Sequence, residues 1–230
     1  MPEGPTWQRA RKPSQKKVRR EEILEAAKQL FKQASYEEVS LNSIARAAGM
    51  SKPNVYRYFS SREEIFLQIL LEQQGAFVER LAKRLKSLAD GKATVDEIVG
   101  IWLDVSQESP ELLALLPQLG TSMEKNSSLD DLVAFKKDSF SGARYLAEVH
   151  AELYPGLSVE TWSQVLNCAV GLLAGLWPLC NGNETVEAAM RHPEVGLEPW
   201  DFPQMMRFAL RSLILGATQG RPKAVPAPSP

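Results

Sequence analysis

Residues Ser40–Leu67 read SLNSIARAAGMSKPNVYRYFSSREEIFL. The stretch predicts two short helices joined by a sharp turn, then the start of a long one. Ser40 is placed to cap a helix over 41–48, and Ser51 to cap a second over 52–58. Pro53 sits in the first turn of that second helix, where a missing N–H costs little. Gly49 follows the first helix, where the chain must turn through φ > 0. Ala45, four residues earlier, is small enough for the second helix to approach. Ile44, Ala48, Met50, Val55 and Tyr58 fall where a three-helix core needs apolar faces, and Phe59 reads with Tyr58 as core. Ser60 and Ser61 stand three residues before Glu63 and Glu64, so either register gives a capping box for the next helix.

The helical pattern extends outward from this stretch. A preceding helix over 17–34 carries the stripe Ile23, Ala27, Leu30 and Phe31. The helix after Ser61 continues to about Leu88, with Ile65, Ile69, Phe77, Leu81 and Leu85 on one face. Further helices are expected over 94–107, 110–119, 128–153, 159–179, 184–191 and 202–217, punctuated by Gly91, Pro110, Pro117, Pro155 and Pro203. No segment alternates like a strand. The expected fold is therefore all-α: an N-terminal three-helix helix-turn-helix domain and a C-terminal helical ligand-binding and dimerisation domain. The expected divisions are a disordered basic arm (1–16), the helix-turn-helix (17–62), the helical domain (63–218) and a disordered Pro-rich tail (219–230).

Net charge is −1 over 230 residues, yet residues 1–62 carry +7 and the remainder −8. A basic module joined to an acidic one suggests that only the first meets a polyanion. Cys168 and Cys180, both in apolar helical sequence, read as core thiols in a reducing cytoplasm. The apolar run Cys168–Cys180 is too short to span a bilayer and reads as a buried helix, so no membrane partner is expected. The N-terminus lacks an apolar targeting segment. His150 and His192 are the only histidines; neither has metal-ligand spacing or a nucleophile motif beside it. Phosphate-cradling Gly-rich loops are absent. Metal, cofactor and catalysis are accordingly not expected.

In a helix-turn-helix the second helix presents its N-terminal residues to base edges in the major groove of double-stranded DNA. Lys52 and Asn54 lie at that end: lysine donates to guanine O6/N7, and asparagine bridges adenine N6/N7. Tyr56 and Arg57, one turn on, suit phosphate oxygens, and Arg62 is placed to hold the flanking backbone. Ser40, Ser51 and Pro53 frame the same surface; Arg46 is either a contact or a solvated helix charge. The basic residues Arg9, Arg11, Lys12, Lys16, Lys17, Arg19 and Arg20 read equally as DNA contacts or as a solubilising arm. A homeodomain is disfavoured, because VYRYF lacks the asparagine setting that its recognition helix needs.

Residues 18–72 resemble the N-terminal domain of the TetR (tetracycline repressor) family of bacterial regulators. The resemblance is carried by Ile44-Ala45, Ala48-Gly49, Ser51, Tyr56, Phe59 and Arg62-Glu63-Glu64-Ile65, and in the preceding helix by Ile23-Leu24, Ala26-Ala27 and Leu30-Phe31. Ser40 stands where the family usually has threonine, Arg62 where it has lysine, and Pro53 where glycine is common. The resemblance implies a homodimer that binds a near-palindromic operator, usually as a repressor, and leaves it when a small-molecule effector binds the C-terminal domain. An activator, or a regulator controlled by a partner protein, is the alternative. A purely structural helical adaptor would leave the basic head unexplained.

Within the C-terminal half, Gly171 and Gly175 at i, i+4, with Phe202, Met206, Ala209 and Leu213 on the last helix, read either as a dimer interface in a four-helix bundle or as ordinary core. Trp102, Met123, Phe135, Phe140, His150, Trp162 and Trp177 read either as the lining of an effector pocket or as core.

Overall fold

A computed structural model describes residues 13–88 and 93–220. The helices are α1 (Pro13–Phe31), α2 (Leu41–Ala47), α3 (Lys52–Val55), α4 (Arg62–Leu85), α5 (Val95–Gln107), α6 (Pro110–Gln118), α7 (Leu129–Leu153), α8 (Val159–Cys180), α9 (Glu184–Met190) and α10 (Phe202–Gln219). A π-helical turn (Leu119–Met123) and a 3₁₀ turn (Glu124–Asn126) join α6 to α7. The described residues contain no strand, as an all-α fold requires.

The chain forms two compact units: residues up to Ile69 with Gln118–Leu132, and Leu70–Pro117 with the chain from Val133. The division falls inside α4, not at the 62/63 position suggested by sequence, because Ile65, Phe66 and Ile69 are core residues of the first unit's helical head. α1 begins at Pro13, four residues before the expected start, and the rest of the expected basic arm lies outside the described residues. The expected tail past Gly220 also lies outside them.

Local chemistry builds the head. Ser40 accepts from the Ser43 N–H at 3.1 Å while the Ser43 hydroxyl accepts from the Ser40 N–H at 3.0 Å, so a serine completes the capping box of α2. At its other end the Met50 N–H reaches the Ala45 carbonyl at 2.8 Å and the Gly49 N–H reaches Arg46 at 3.1 Å. This is a Schellman closure, and Gly49 supplies its left-handed residue at φ 65°. α3 is shorter than the expected 52–58. Beyond Val55 the bonding is mixed: Arg57 and Tyr58 bond i→i−3 (to Asn54 and Val55), while the Tyr56 and Phe59 N–H groups keep i→i−4 bonds to Lys52 and Val55, so the regular helix gives way to a turn. Ser51 occupies the N-cap position, but its side chain makes no cap bond. For α4 the Ser61–Glu64 register wins: Ser61 Oγ accepts from the Glu64 N–H at 3.0 Å, and the Glu64 carboxylate accepts from the Ser60 N–H. Ile23, Ala27, Ile44, Val55 and Phe59 close the core, whereas Ala48, Met50 and Tyr58 are only half-buried.

In the second unit α10 packs on α8 and α5. Its buried stripe Phe202, Met206, Leu210 and Ile214 follows i, i+4 spacing. α8 is long and apolar enough to cross a membrane by length and composition. It is not the wholly buried helix expected: Trp162, Val165, Leu166, Ala169 and Leu173 form one buried face, and Gly171, Gly175 and Leu179 lie on exposed surface. Cys168 falls on that second face and is an exposed free thiol, and Cys180 is half-buried, so neither is the core thiol expected.

A Cβ added at Gly49 meets nothing within 4 Å, so substitution there is resisted by backbone conformation alone. Gly49→Ala is expected to destabilise the protein by about 1–2 kcal/mol without loss of helicity, measured by denaturant unfolding followed by circular dichroism.

Candidate functional site

The first candidate surface lies on the head. Lys52, Pro53, Asn54, Tyr56 and Arg57 are all exposed, as are Ser40, Arg46 and Ser51. Buried Val55, on the opposite side of α3, anchors the row to the core. The Lys52 ammonium lies 5.9 Å from the Tyr56 ring centroid. Among the described residues no carboxylate pairs with Arg46, Lys52 or Arg57. The turn thus holds a lysine, an asparagine, a tyrosine and an arginine outward, with no carboxylate on either cation and Lys52 over the Tyr56 ring. This is a donor set matched to base edges and phosphates.

Arg62 is not part of that surface. Its guanidinium donates to the carbonyls of Tyr36 and Val39, both at 3.1 Å, pairs with Glu63 at 3.0 Å and lies 4.3 Å from the Tyr36 ring centroid. Its donors are consumed in tying the α1–α2 connection to α4, so no fork remains for a phosphate. Arg20 is diverted in the same way: it donates to the Tyr58 carbonyl, pairs with Glu64 at 3.3 Å and stacks 4.0 Å from the Phe59 ring centroid. Lys17 and Arg19 pair with Glu21 and Glu22 on the exposed side of α1. No sequence pattern marks these anchors, since a helical arginine reads the same whether it faces DNA or carbonyls.

The second candidate is a cavity of ≈ 80 Å³ within the regulatory unit. Its wall includes Gln74, Phe77 and Val78 of α4, Trp102 of α5, Leu112 and Leu116 of α6, Ser139, Ala143 and Leu146 of α7, and Asn167 and Val170 of α8. Of the seven side chains suggested by sequence, Trp102 alone lines it. Phe140 is 59% exposed, so it points away. Met123 is buried in the other unit, and Phe135 is core. Trp177 packs edge-on to Phe202 at 5.1 Å. Trp162 is buried against His150 at 4.7 Å. The wall's polar members, Gln74, Ser139 and Asn167, escaped the sequence reading because polar residues on a helix read as solvated.

His150 acts behind the wall. Trp102 Nε1–H can only donate, so His150 Nε2 accepts it at 2.9 Å, and the remaining N–H at Nδ1 donates to the Leu146 carbonyl at 2.7 Å. Both ring nitrogens are satisfied in the neutral tautomer. Burial pushes the imidazole down to about 4 against the opposing Leu146 bond. His150 therefore positions Trp102 and is no ligand anchor.

A third surface is an open apolar face where α8 and α10 run together, lined by Gln164, Val165, Cys168, Leu172, Ala209, Ser212, Leu213 and Gly216. Ala209 and Leu213 line this face, and Gly171 and Gly175 are exposed. Phe202 and Met206 are not available to a partner, because both are buried within the chain.

A helix-turn-helix head with an all-helical companion unit is the architecture of a one-component DNA-binding regulator. The family description "Bacterial regulatory proteins, tetR family" matches residues 23–69, and "Tetracyclin repressor-like, C-terminal domain" matches 71–221. The chain belongs to the TetR family of DNA-binding transcriptional regulators. It is 30% identical over 155 residues to the fatty acid metabolism regulator protein of Bacillus subtilis, covering 66% of this chain and 79% of that one. It is 30% identical over 86 residues to the transcriptional activator FasR of Mycolicibacterium smegmatis, covering 37% and 39%. Its fold matches Thermus thermophilus FadR, a TetR-family repressor solved with lauroyl-CoA, at TM-score 0.56 and 17% identity over 92% of this chain and 98% of that one. FadR of Bacillus halodurans matches at TM-score 0.51 and 16% identity over 90% and 98%.

Two outcomes separate anchors from contacts. Arg62→Gln is expected to destabilise the protein by about 2 kcal/mol through the lost carbonyl bonds, while Arg57→Gln stays within about 0.5 kcal/mol of the parent in urea unfolding. The unfolded chain binds a proton at His150 near 6.5, but the folded chain does so only near about 4. Between those values the unfolded state holds the extra proton, so stability falls as pH drops, by about 3 kcal/mol over the window. His150→Gln is expected to flatten that part of the stability–pH curve measured by denaturant titration.

Proposed function

We propose that this chain is a cytoplasmic, non-enzymatic repressor that binds a near-palindromic operator as a homodimer and leaves it when a small apolar effector enters the regulatory unit. The observation that carries the reading is the exposed, unpaired row Lys52, Asn54, Tyr56 and Arg57 on a turn fixed by Gly49 and Val55. Lys52 and Asn54 would read base edges. Ser40, Arg46, Ser51, Tyr56, Arg57 and the α3 N–H groups would hold phosphates. The open α8/α10 face supports self-association: small and apolar side chains there let two copies pair helices closely, and a two-fold pairing sets two heads about 34 Å apart for successive major grooves.

Two chain connections support effector control. α4 begins in the head at Arg62, and its Phe77 and Val78 line the cavity. α6 contributes Leu112 and Leu116 to the wall, and its continuation belongs to the head's unit, where Gln118 Nε2 donates to Glu37 at 2.9 Å and the Ser122 hydroxyl lies 3.1 Å from Tyr36 Oη. The cavity's ≈ 80 Å³ is below the roughly 150 Å³ that accepts benzene in an engineered core, so a larger effector must displace wall side chains on α4 or α6. Displacement of that kind spoils operator spacing. The fatty-acid regulators among the relatives support a long-chain acyl compound as the effector class. FasR, named an activator, favours the reading in which the same DNA contacts recruit instead of block.

Selection of the purified protein against a pool of genomic fragments, with competitor DNA, is expected to enrich a near-palindromic sequence. Arg57→Gln should then lower affinity and reduce the slope of log K against log salt by about one, and Lys52→Glu should abolish binding with the fold intact. A folded, dimeric protein that enriches no motif would sink the operator reading. Release of the enriched DNA by a long-chain acyl-CoA checks the effector class, and binding that ignores acyl compounds would favour control by a partner protein.

A further inference from the structure

The head carries a second open surface, shared by none of the proposed DNA contacts. A groove of ≈ 830 Å³ runs along α1 and past the C-terminal end of α2. Its apolar lining is Val18, Ala26, Leu30, Ala47 and Ala48. Three of these are alanines, and their small side chains leave room for a larger one. Its acidic lining is Glu21, Glu22 and Glu25, all exposed. Glu21 and Glu22 meet Lys17 at 3.9 Å and Arg19 at 2.6 Å, and Glu25 accepts from the neutral amide of Gln29 at 2.6 Å. Exposed pairs of this kind are weak, so the three carboxylates remain open to further cations.

Residues 1–12, MPEGPTWQRARK, carry the matching chemistry: one indole, Trp7, then the cations Arg9, Arg11 and Lys12. They join α1 at Pro13, just before the near end of the groove at Val18. An extended chain gains about 3.3 Å per residue and a helix about 1.5 Å. Folded back along α1, Trp7 reaches at most about 20 Å from Pro13, level with Ala26, and Arg9 about 13 Å, level with Glu22. A reversal that consumes two residues still leaves Trp7 level with Glu22, inside the groove. We propose that residues 1–12 dock in cis in this groove, with the Trp7 ring against its alanines and Arg9 and Arg11 beside Glu21, Glu22 and Glu25. The indole supplies the apolar area, and the charge-assisted pairs fix the direction of the strand. Docked, the arm holds its cations on the protein's own carboxylates and keeps them from the phosphates of DNA.

The test cuts full-length protein with a trace of trypsin and follows release of residues 1–9 by mass spectrometry. Each rate is taken relative to a synthetic peptide of residues 1–16 with the same sequence. When docking is fast relative to cleavage, the rate reports the undocked fraction. The parent is expected to release the fragment about tenfold more slowly than its peptide does. Trp7→Ser keeps every cation, and the double variant Glu22→Gln/Glu25→Gln removes only groove charge. Each is expected to regain most of the peptide rate with an unchanged circular dichroism spectrum. A parent cut as fast as its peptide overturns the proposal and leaves the groove to another partner. So does protection that either variant retains, which would seat the arm elsewhere. Protection lost on dilution of the parent would assign the groove to the arm of a second copy and overturn docking in cis.

Discussion

The guanidinium of Arg62 is the tie on which the head depends. Two backbone carbonyls of the α1–α2 connection, Tyr36 O and Val39 O, have no helix to satisfy them, and Arg62 supplies both donors from the first turn of α4. The Tyr36 ring lies under the same charge, and its buried phenol is held above its ordinary pKa by desolvation. Arg20 repeats the device on the other side, joining the Tyr58 carbonyl to Glu64. Charge-assisted bonds from partly buried arginines are stronger than neutral ones and fix direction as well as distance. α3, too short to hold itself, is thereby fixed between two braced connections and can present its outer residues rigidly.

The regulatory unit is organised by the opposite principle. Its core leaves a small cavity among α4, α5, α6, α7 and α8, and two polar groups of different standing belong to that region. The Trp102–His150–Leu146 chain is fully satisfied and stiffens one wall. Gln74 belongs to the wall, and its Oε1 is buried without a partner among the described residues. Both α4 and α6 line this void, and both helices cross the division between the two units.

The helices themselves were legible with bounds mostly within a few residues, since hydrophobic period, serine caps, Gly49 and the prolines are local signals. The exposed row from Lys52 to Arg57 was legible for the same reason: a buried Val55 at helical spacing forces its neighbours outward. Arg62, Arg20, Phe202 and Met206 were not, because a charge or an apolar stripe names no partner. The lining of the cavity was least legible: of the seven aromatic or amphipathic candidates, each read as pocket lining or core, Trp102 alone lies in its wall. Large side chains fill space, so cavities form beside smaller ones such as Ser139 and Ala143.

By itself the sequence determined an all-helical chain, a basic head with its outward-facing donors, and the family to which that head belongs. Each of these follows from residues within a few positions of one another. Which arginines brace the fold, which face of α8 stays open and which side chains enclose the cavity were decided by tertiary structure alone. Those outcomes depend on groups that meet across tens of residues of chain, and partner choice over such separations is a property of packing.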